Sequence, residues 1–300
     1  MEAPNQLSRR RLLACGALGF LGGALSHVAK NGSAWGADPD PRQRGFKIGA
    51  CDWTLGKRAD PSSMALAKEL GLDGVQVDFG KDDAELPLTS SELQQRFLSA
   101  SKEHGVEIAS LALGVLNDIP YKSDPRAEKW VLEAIGVCQV FGVKVALLAF
   151  FGNGDLRGDK EGTDEVVKRL KAAAPKAEEA GVVLGIESWL SAEEHLAILD
   201  RVGSPSVQVY YDVGNSHHIG HDIYAEIPQL GVERICEFHA KDYDDLYGKG
   251  SIDFPRVREA VDAIGYRGWI VIEGIELPLG LEESIRYDAE YLRKIFTNNG

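Results

Sequence analysis

The sequence predicts an α/β protein closed as a (β/α)8 TIM barrel, and three observations predict it. Eight short apolar strands alternate with amphipathic helices along the chain. Glycines recur just after helices and shortly before strands, as in a repeating αβ unit. Strands five to eight end in ionisable residues, and only a closed ring turns several neighbouring strand ends toward one centre. An open doubly wound sheet is the competing architecture.

The strands are expected at Phe46–Cys51, Gly74–Asp78, Glu107–Leu111, Lys144–Ala149, Val182–Glu187, Val207–Asp212, Ile235–His239 and Trp269–Glu273. Between them, helix starts carry recognisable signals. Asp60-Pro61 and Asp124-Pro125 each place a capping carboxylate before a proline whose missing N–H costs nothing in the first turn. Thr89 with Glu92, and Ser191 with Glu194, fit the reciprocal capping pattern. Leu281, Ile285, Ala289, Leu292 and Phe296 form an apolar stripe on the last helix, which predicts packing against a barrel wall. Gly152-Asn153-Gly154 resembles a phosphate loop, but its spacing does not match G-x-G-x-x-G, and it reads as a βα loop.

Ser8-Arg9-Arg10-Arg11 precedes a weakly apolar, Gly/Ala-rich run, the pattern of a twin-arginine export signal rather than a membrane span. Residues 1–37 are therefore expected to be a signal peptide and lead-in, residues 38–300 one barrel domain, and the mature protein periplasmic. The formal charge is −13, and the leader removes four basic residues and one acidic, leaving a still more acidic body. Such a surface disfavours nucleic acid and anionic membrane as partners. A homo-oligomer is compatible with the sequence. Cys51, Cys138 and Cys236 lack any scaffold spacing and are expected to be buried free thiols.

The candidate chemistry sits at the strand ends. Glu187, Asp212, His239 and Glu273 each close a separate apolar strand, and a barrel brings its strand ends together at one mouth. Four unpaired ionisable groups converging in a low-dielectric space would cost several kcal/mol per ion, and a cation removes that penalty. Three carboxylates and one imidazole suit one divalent ion, Mn²⁺, Mg²⁺, Co²⁺ or Zn²⁺, over a thiolate-seeking one. An octahedral ion with four protein ligands keeps two positions for a carbonyl and a neighbouring hydroxyl of one substrate.

GIES at strand five, YYDVGN at strand six, FHAKD at strand seven, and GSIDF followed by GYRGWIVIEG carry a resemblance. The chain resembles the xylose-isomerase-like TIM barrels of sugar isomerases and epimerases over essentially the whole body. The resemblance implies that Glu187, Asp212, His239 and Glu273 bind one divalent metal, and that Glu187 and Glu273 also transfer protons. Asn215 stands where some epimerases of the family carry a substrate-contacting His, so the sequence departs from that branch. His217 and His218 follow in the same loop and are candidates to compensate, His218 for substrate contact; a solvated loop pair is the alternative. Lys241 points to the same mouth and is a candidate for a hydroxyl or a phosphate; a salt bridge to Asp242 or Asp244 is the alternative. Trp53 and Trp189, just past strands one and five, are candidates to stack on a sugar face or simply to pack in the rim.

The expected activity is a metal-dependent sugar isomerase or epimerase working through an enediolate, with glutamates moving the proton next to a keto group. A keto-sugar dehydratase or lyase uses the same parts and is the alternative. An abasic-site endonuclease of the same fold is disfavoured, because strands three and four end in Ser110-Leu111 and Ala149-Phe150 without further ligands.

Overall fold

In the computed structural model, which describes residues 45–81, 85–274 and 276–297, eight parallel strands close into a barrel in chain order. They are β1 Lys47–Cys51, β2 Gly74–Asp78, β3 Glu107–Leu113, β4 Val145–Phe150, β5 Val183–Ser188, β6 Val207–Asp212, β7 Ile235–Ala240 and β8 Trp269–Ile272. The ring closes where β1 pairs β8, Lys47 opposite Trp269 and Ala50 opposite Ile272. The leader, with its twin arginines and expected cleavage region, lies outside the described residues.

The helices are α1 Ser63–Glu69, α2 Ser91–His104, α3 Pro125–Phe141, α4 Lys160–Ala180, α5 Ala192–Val202, α6 Val213–His218, α7 Ile223–Leu230, α8 Phe254–Ala263 and α9 Leu281–Phe296. Asp124 caps α3 by accepting from the Arg126 N–H, and Ser191 with Glu194 forms the full reciprocal cap of α5. The expected pair of Thr89 and Glu92 does not form. Thr89 belongs to a 3-10 turn and donates its hydroxyl to Leu86 O at 2.7 Å, so α2 starts one residue later, after Ser90. Asp60 likewise caps a turn rather than α1, accepting from Ser62 N–H and Oγ. Helix α2 ends at Gly105 with φ 63°, a left-handed stop that a side chain would strain.

Alternation along the strands decides what faces the barrel axis. Ala146, Leu148 and Phe150 of β4 pack outward against the helices, whereas Val145, Leu147 and Ala149 pack inward with Ala112 and Tyr210. The same parity runs round the ring. Leu184 and Ile186, Val209 and Tyr211, Phe238 and Ala240, and Ile270 and Ile272 join the outer core. Their neighbours Glu187, Asp212, His239 and Glu273 are therefore the inward set. A slip of one residue in any strand would turn its ionisable group into the apolar layer.

The outer layer is held by helix stripes such as Ile285, Ala289, Leu292 and Phe296 on α9, all buried. Each large apolar side chain fully buried this way contributes about 1.5–3 kcal/mol. No helix among the described residues is long and apolar enough to cross a membrane.

Candidate functional site

The site is built at the C-terminal end of the barrel. Asp212 pairs in register with His239 across β6 and β7, and Glu187, one residue before the end of β5, lies opposite Ala149. Asp212 is also the cap of α6, its Oδ1 accepting from the Asn215 N–H at 2.8 Å. That bond fixes the carboxylate plane and leaves Oδ2 buried with no hydrogen-bond partner. His239 Nδ1 lies 2.9 Å from Glu187 Oε1 and 3.8 Å from Asp212 Oδ2.

One ligand atom each from Glu187, Asp212 and His239 falls within 4.8 Å of the others, all three residues buried. Two carboxylates and an imidazole at that separation, one oxygen with no partner, fit a divalent cation. Burial, joined by the charges of Glu273 and Glu187 and opposed by Lys241 and His239, raises the Asp212 carboxyl above the usual carboxylate range. Burial would lower the His239 imidazole, but Glu187 beside it raises it on balance.

Glu273, just past β8, stands outside that tight group of three. Its Oε1 accepts from Trp53 Nε1 at 3.0 Å and its Oε2 from Lys241 Nζ at 2.6 Å. Burial pushes the Glu273 carboxyl up, but Lys241, His239 and the two hydrogen bonds outweigh it and hold the group below its ordinary value. Lys241 thus takes Glu273 as its partner and not Asp242 or Asp244. Asp242 instead accepts from the Ser251 and Ile252 N–H groups, bracing the long loop before α8. Asp253 then caps α8, which accounts for the spacing of the KD and GSIDF segments.

Glu187, Lys241 and Glu273 line one cavity of about 310 Å³, together with Trp53, Trp189, Asn215 and Tyr243. Asn215 Nδ2 reaches Glu187 Oε1 at 3.4 Å and its Oδ1 accepts from the Tyr243 hydroxyl at 2.6 Å. Trp189 packs edge-on to Phe151, and its Nε1 is buried without a hydrogen-bond partner. His218 is placed differently. It is exposed, does not line the cavity, and stacks on Tyr243 with ring centroids 4.4 Å apart.

The structure adds residues that the sequence reading did not single out. Gln76, mid-strand in β2 and fully buried, accepts from His239 Nε2 at 2.8 Å, while its own Nε2 donates to Ser110 Oγ. Arg58 and Asp78 form an ion pair at 2.6 Å on the cavity wall. Asp78 closes β2 as Asp212 closes β6, and that position was the available signal.

The family model described as xylose isomerase-like TIM barrel matches residues 64–295. The chain belongs to that family. Among curated relatives, L-ribulose-5-phosphate 3-epimerase UlaE of Salmonella heidelberg (strain SL476) is 28% identical over 228 residues, covering 70% of this chain and 80% of that protein. Two solved members of the same architecture are similar in fold. D-allulose 3-epimerase from Methylomonas sp. has a TM-score of 0.69 at 17% identity, covering 84% of this chain and 98% of the other. The 3-keto-D-glucoside 4-epimerase YcjR from E. coli has a TM-score of 0.70 at 17% identity, covering 83% and 99%.

Proposed function

We propose that this xylose isomerase-like barrel is a divalent-metal-dependent sugar epimerase that moves a proton at the carbon next to a keto group. The observation that carries the reading is the convergence of Glu187, Asp212 and His239 on one buried point, with Asp212 Oδ2 unpartnered, beside a cavity that Glu187 and Glu273 both line. The names of the three relatives described above, two 3-epimerases and a 4-epimerase of sugars, support the same class. Glu187, Asp212 and His239 would hold the ion, with Glu273 as fourth ligand when it turns from Lys241. A divalent ion bound there supplies Lewis acidity, making the C–H beside a coordinated carbonyl easier to ionise.

The chain's own groups divide the proton work. Glu273, kept ionised by Lys241, accepts the proton at one face of the substrate. Glu187 comes from β5, on another wall of the ring, and returns a proton to the opposite face, which inverts the carbon. Return to the neighbouring carbon would give isomerisation, and loss of a β-group would give elimination. Product analysis after reaction in heavy water separates the three outcomes. Epimerisation predicts one solvent deuteron at the inverted carbon and no lost fragment.

The test is metal analysis of the purified chain followed by a screen of ketoses and keto-glycosides for C–H exchange. Manganese leads the candidate ions. His239→Ala is expected to lose the ion and the exchange together, and an unchanged metal stoichiometry in that variant would refute the reading. We further propose that residues 1–37 direct export by the twin-arginine route, so that the enzyme acts in the periplasm. N-terminal sequencing of protein recovered from that compartment tests it.

A further inference from the structure

Among the described residues the barrel steps out of register in two ladders. Between β2 and β3, Val75 pairs with Ile108 and Val77 with Leu111, so Ala109 and Ser110 together stand against Gln76. Between β6 and β7, Val209 pairs with Ile235 and Tyr210 with Glu237, so Cys236 is one residue extra. Such bulges re-aim the side chains that follow them. Ile108 and Leu111, and likewise Ile235 and Phe238, pack with the outer core at a spacing of three rather than two. The extra residues therefore turn Ser110 and Glu237 out of that layer toward the axis, and His239 with them.

The two re-aimed side chains continue a hydrogen-bond chain that starts at His239. His239 Nε2 donates to Gln76 Oε1 at 2.8 Å, and Gln76 Nε2 donates to Ser110 Oγ at 3.0 Å. The Glu237 carboxyl lies within hydrogen-bonding reach of the Ser110 hydroxyl. An amide turned end for end would present N–H groups to His239 and no acceptor. Ser110 opposes that turn only while its own hydrogen points away from the amide. Glu237 gives that hydrogen its destination, because a carboxyl keeps an acceptor oxygen in either protonation state. Tyr210, paired with Glu237 across the sheet, packs its ring on His239 with centroids 4.4 Å apart.

Glu237 is costly where it stands. Its Oε2 is buried with no hydrogen-bond partner, and among the described residues His239 is the only cation that acts on it. Val145, Leu147 and Ala112 fill other inward positions of the ring. An apolar side chain in place of Glu237 would serve folding better.

Resting on the metal reading above, we propose that Glu237 and Ser110 are positioning residues for the ion: through Gln76 they hold the Nε2 proton of His239 and so present Nδ1 to the ligand point.

The test combines calorimetric Mn²⁺ affinity of the full chain, nitrogen-15 and proton signals of His239 in the Zn²⁺-loaded protein, and urea unfolding. Ser110→Ala and Glu237→Met are each expected to weaken Mn²⁺ binding about tenfold, the low end for a lost support behind a metal-ligating histidine. The Nε2 proton is expected to exchange slowly with solvent in wild type and about tenfold faster in both variants. Glu237→Gln keeps an acceptor oxygen and is expected to stay within about threefold of wild type in both measures. Glu237→Met is expected to be at least as stable as wild type, whereas an acid with a merely structural role would cost stability when removed and leave the Nε2 proton unmoved. Unchanged affinity and exchange in Ser110→Ala and Glu237→Met would overturn the assignment and leave the metal reading standing. So would equal losses in Glu237→Gln and Glu237→Met, which would make the charge responsible and not the chain. A wild type that binds neither ion would remove both.

Discussion

Lys241 Nζ lies 2.6 Å from Glu273 Oε2, and two glycines make that contact possible. A Cβ on Gly214 would meet Lys241 Cβ at 2.5 Å, and one on Gly274, whose φ is 52°, would meet Lys241 Cε at 2.8 Å. The DVGN and IEG segments therefore do more than place a carboxylate at the barrel mouth, because each clears a path for the lysine of FHAKD. Glu273 is ionised in the resting cavity because this stem can pass.

Lys241→Met tests the consequence. Without the ammonium, burial is left to push the Glu273 carboxyl up. Exchange at neutral pH is expected to fall by about 100-fold, the usual scale for losing a positioned acid or base in its working state. The pH midpoint of activity moves upward. Gly214→Ala displaces the same stem and is expected to give a milder form of the same profile. An unchanged pH profile in both variants would show that Lys241 does not set the ionisation of Glu273.

The inward set of Glu187, Asp212, His239 and Glu273 was legible in the sequence because a period of two along apolar strands leaves each strand-ending charge one choice of face. What the sequence could not show was pairing between loops distant in the chain. The bond from Trp53 to Glu273 joins positions 220 residues apart, and that from His239 to Gln76 joins positions 163 apart. Neither leaves a local pattern. The α2 start was misplaced by one residue because Thr89 and Ser90 are both competent caps, and the turn after Leu86 took Thr89. His218 looked like a cavity residue because α6 is short and its faces cannot be told apart from six residues.

Gln76→Leu should weaken the metal without emptying the cavity of ligands. His239 Nε2 donates to Gln76 Oε1, which leaves Nδ1 as the nitrogen facing Glu187 and Asp212; without an ion Nδ1 donates to Glu187 Oε1 at 2.9 Å, and that proton must leave before the nitrogen can ligate. Loss of such an orienting partner typically costs 10- to 100-fold in affinity, and about that loss of Mn²⁺ binding is expected. Nitrogen-15 chemical shifts of His239 in the metal-free protein give the independent readout. The metal-free wild type is expected with both ring nitrogens protonated, each facing an acceptor oxygen, and the variant as a mixture of protonation states.

Metal affinity should fall as the solution becomes more acidic. Asp212 must lose its proton to bind an ion, and its carboxyl is raised by burial and by Glu273 and Glu187. The proton is therefore retained to a higher pH than on an ordinary aspartate. Log affinity is expected to drop by about one unit per pH unit for each proton that Asp212 and His239, both raised in the metal-free protein, must release when an ion binds. Calorimetry in two buffers of different ionisation enthalpy measures the released proton, and a pH-independent affinity between pH 5 and 8 would remove Asp212 from the ligand set.

Stability should carry a separate acid limb from His195, away from the site. His195 is buried on α5, its Nε2 2.9 Å from Ser188 Oγ, and burial lowers its pKa from 6.5 to about 4. The unfolded chain therefore takes up a proton below pH 6.5 that the folded chain refuses until about pH 4. The stability that neutral His195 contributes is fully present above pH 6.5, declines as pH falls through that window, and is gone below about pH 4. The shift corresponds to about 3 kcal/mol. His195→Gln keeps a polar group near Ser188 without the titration. In urea unfolding, the stability difference between wild type and this variant is expected to shift by about 3 kcal/mol against wild type between pH 7 and pH 4. A difference that stays constant across that range would mean that His195 titrates alike in the folded and unfolded chains, so that burial does not depress it.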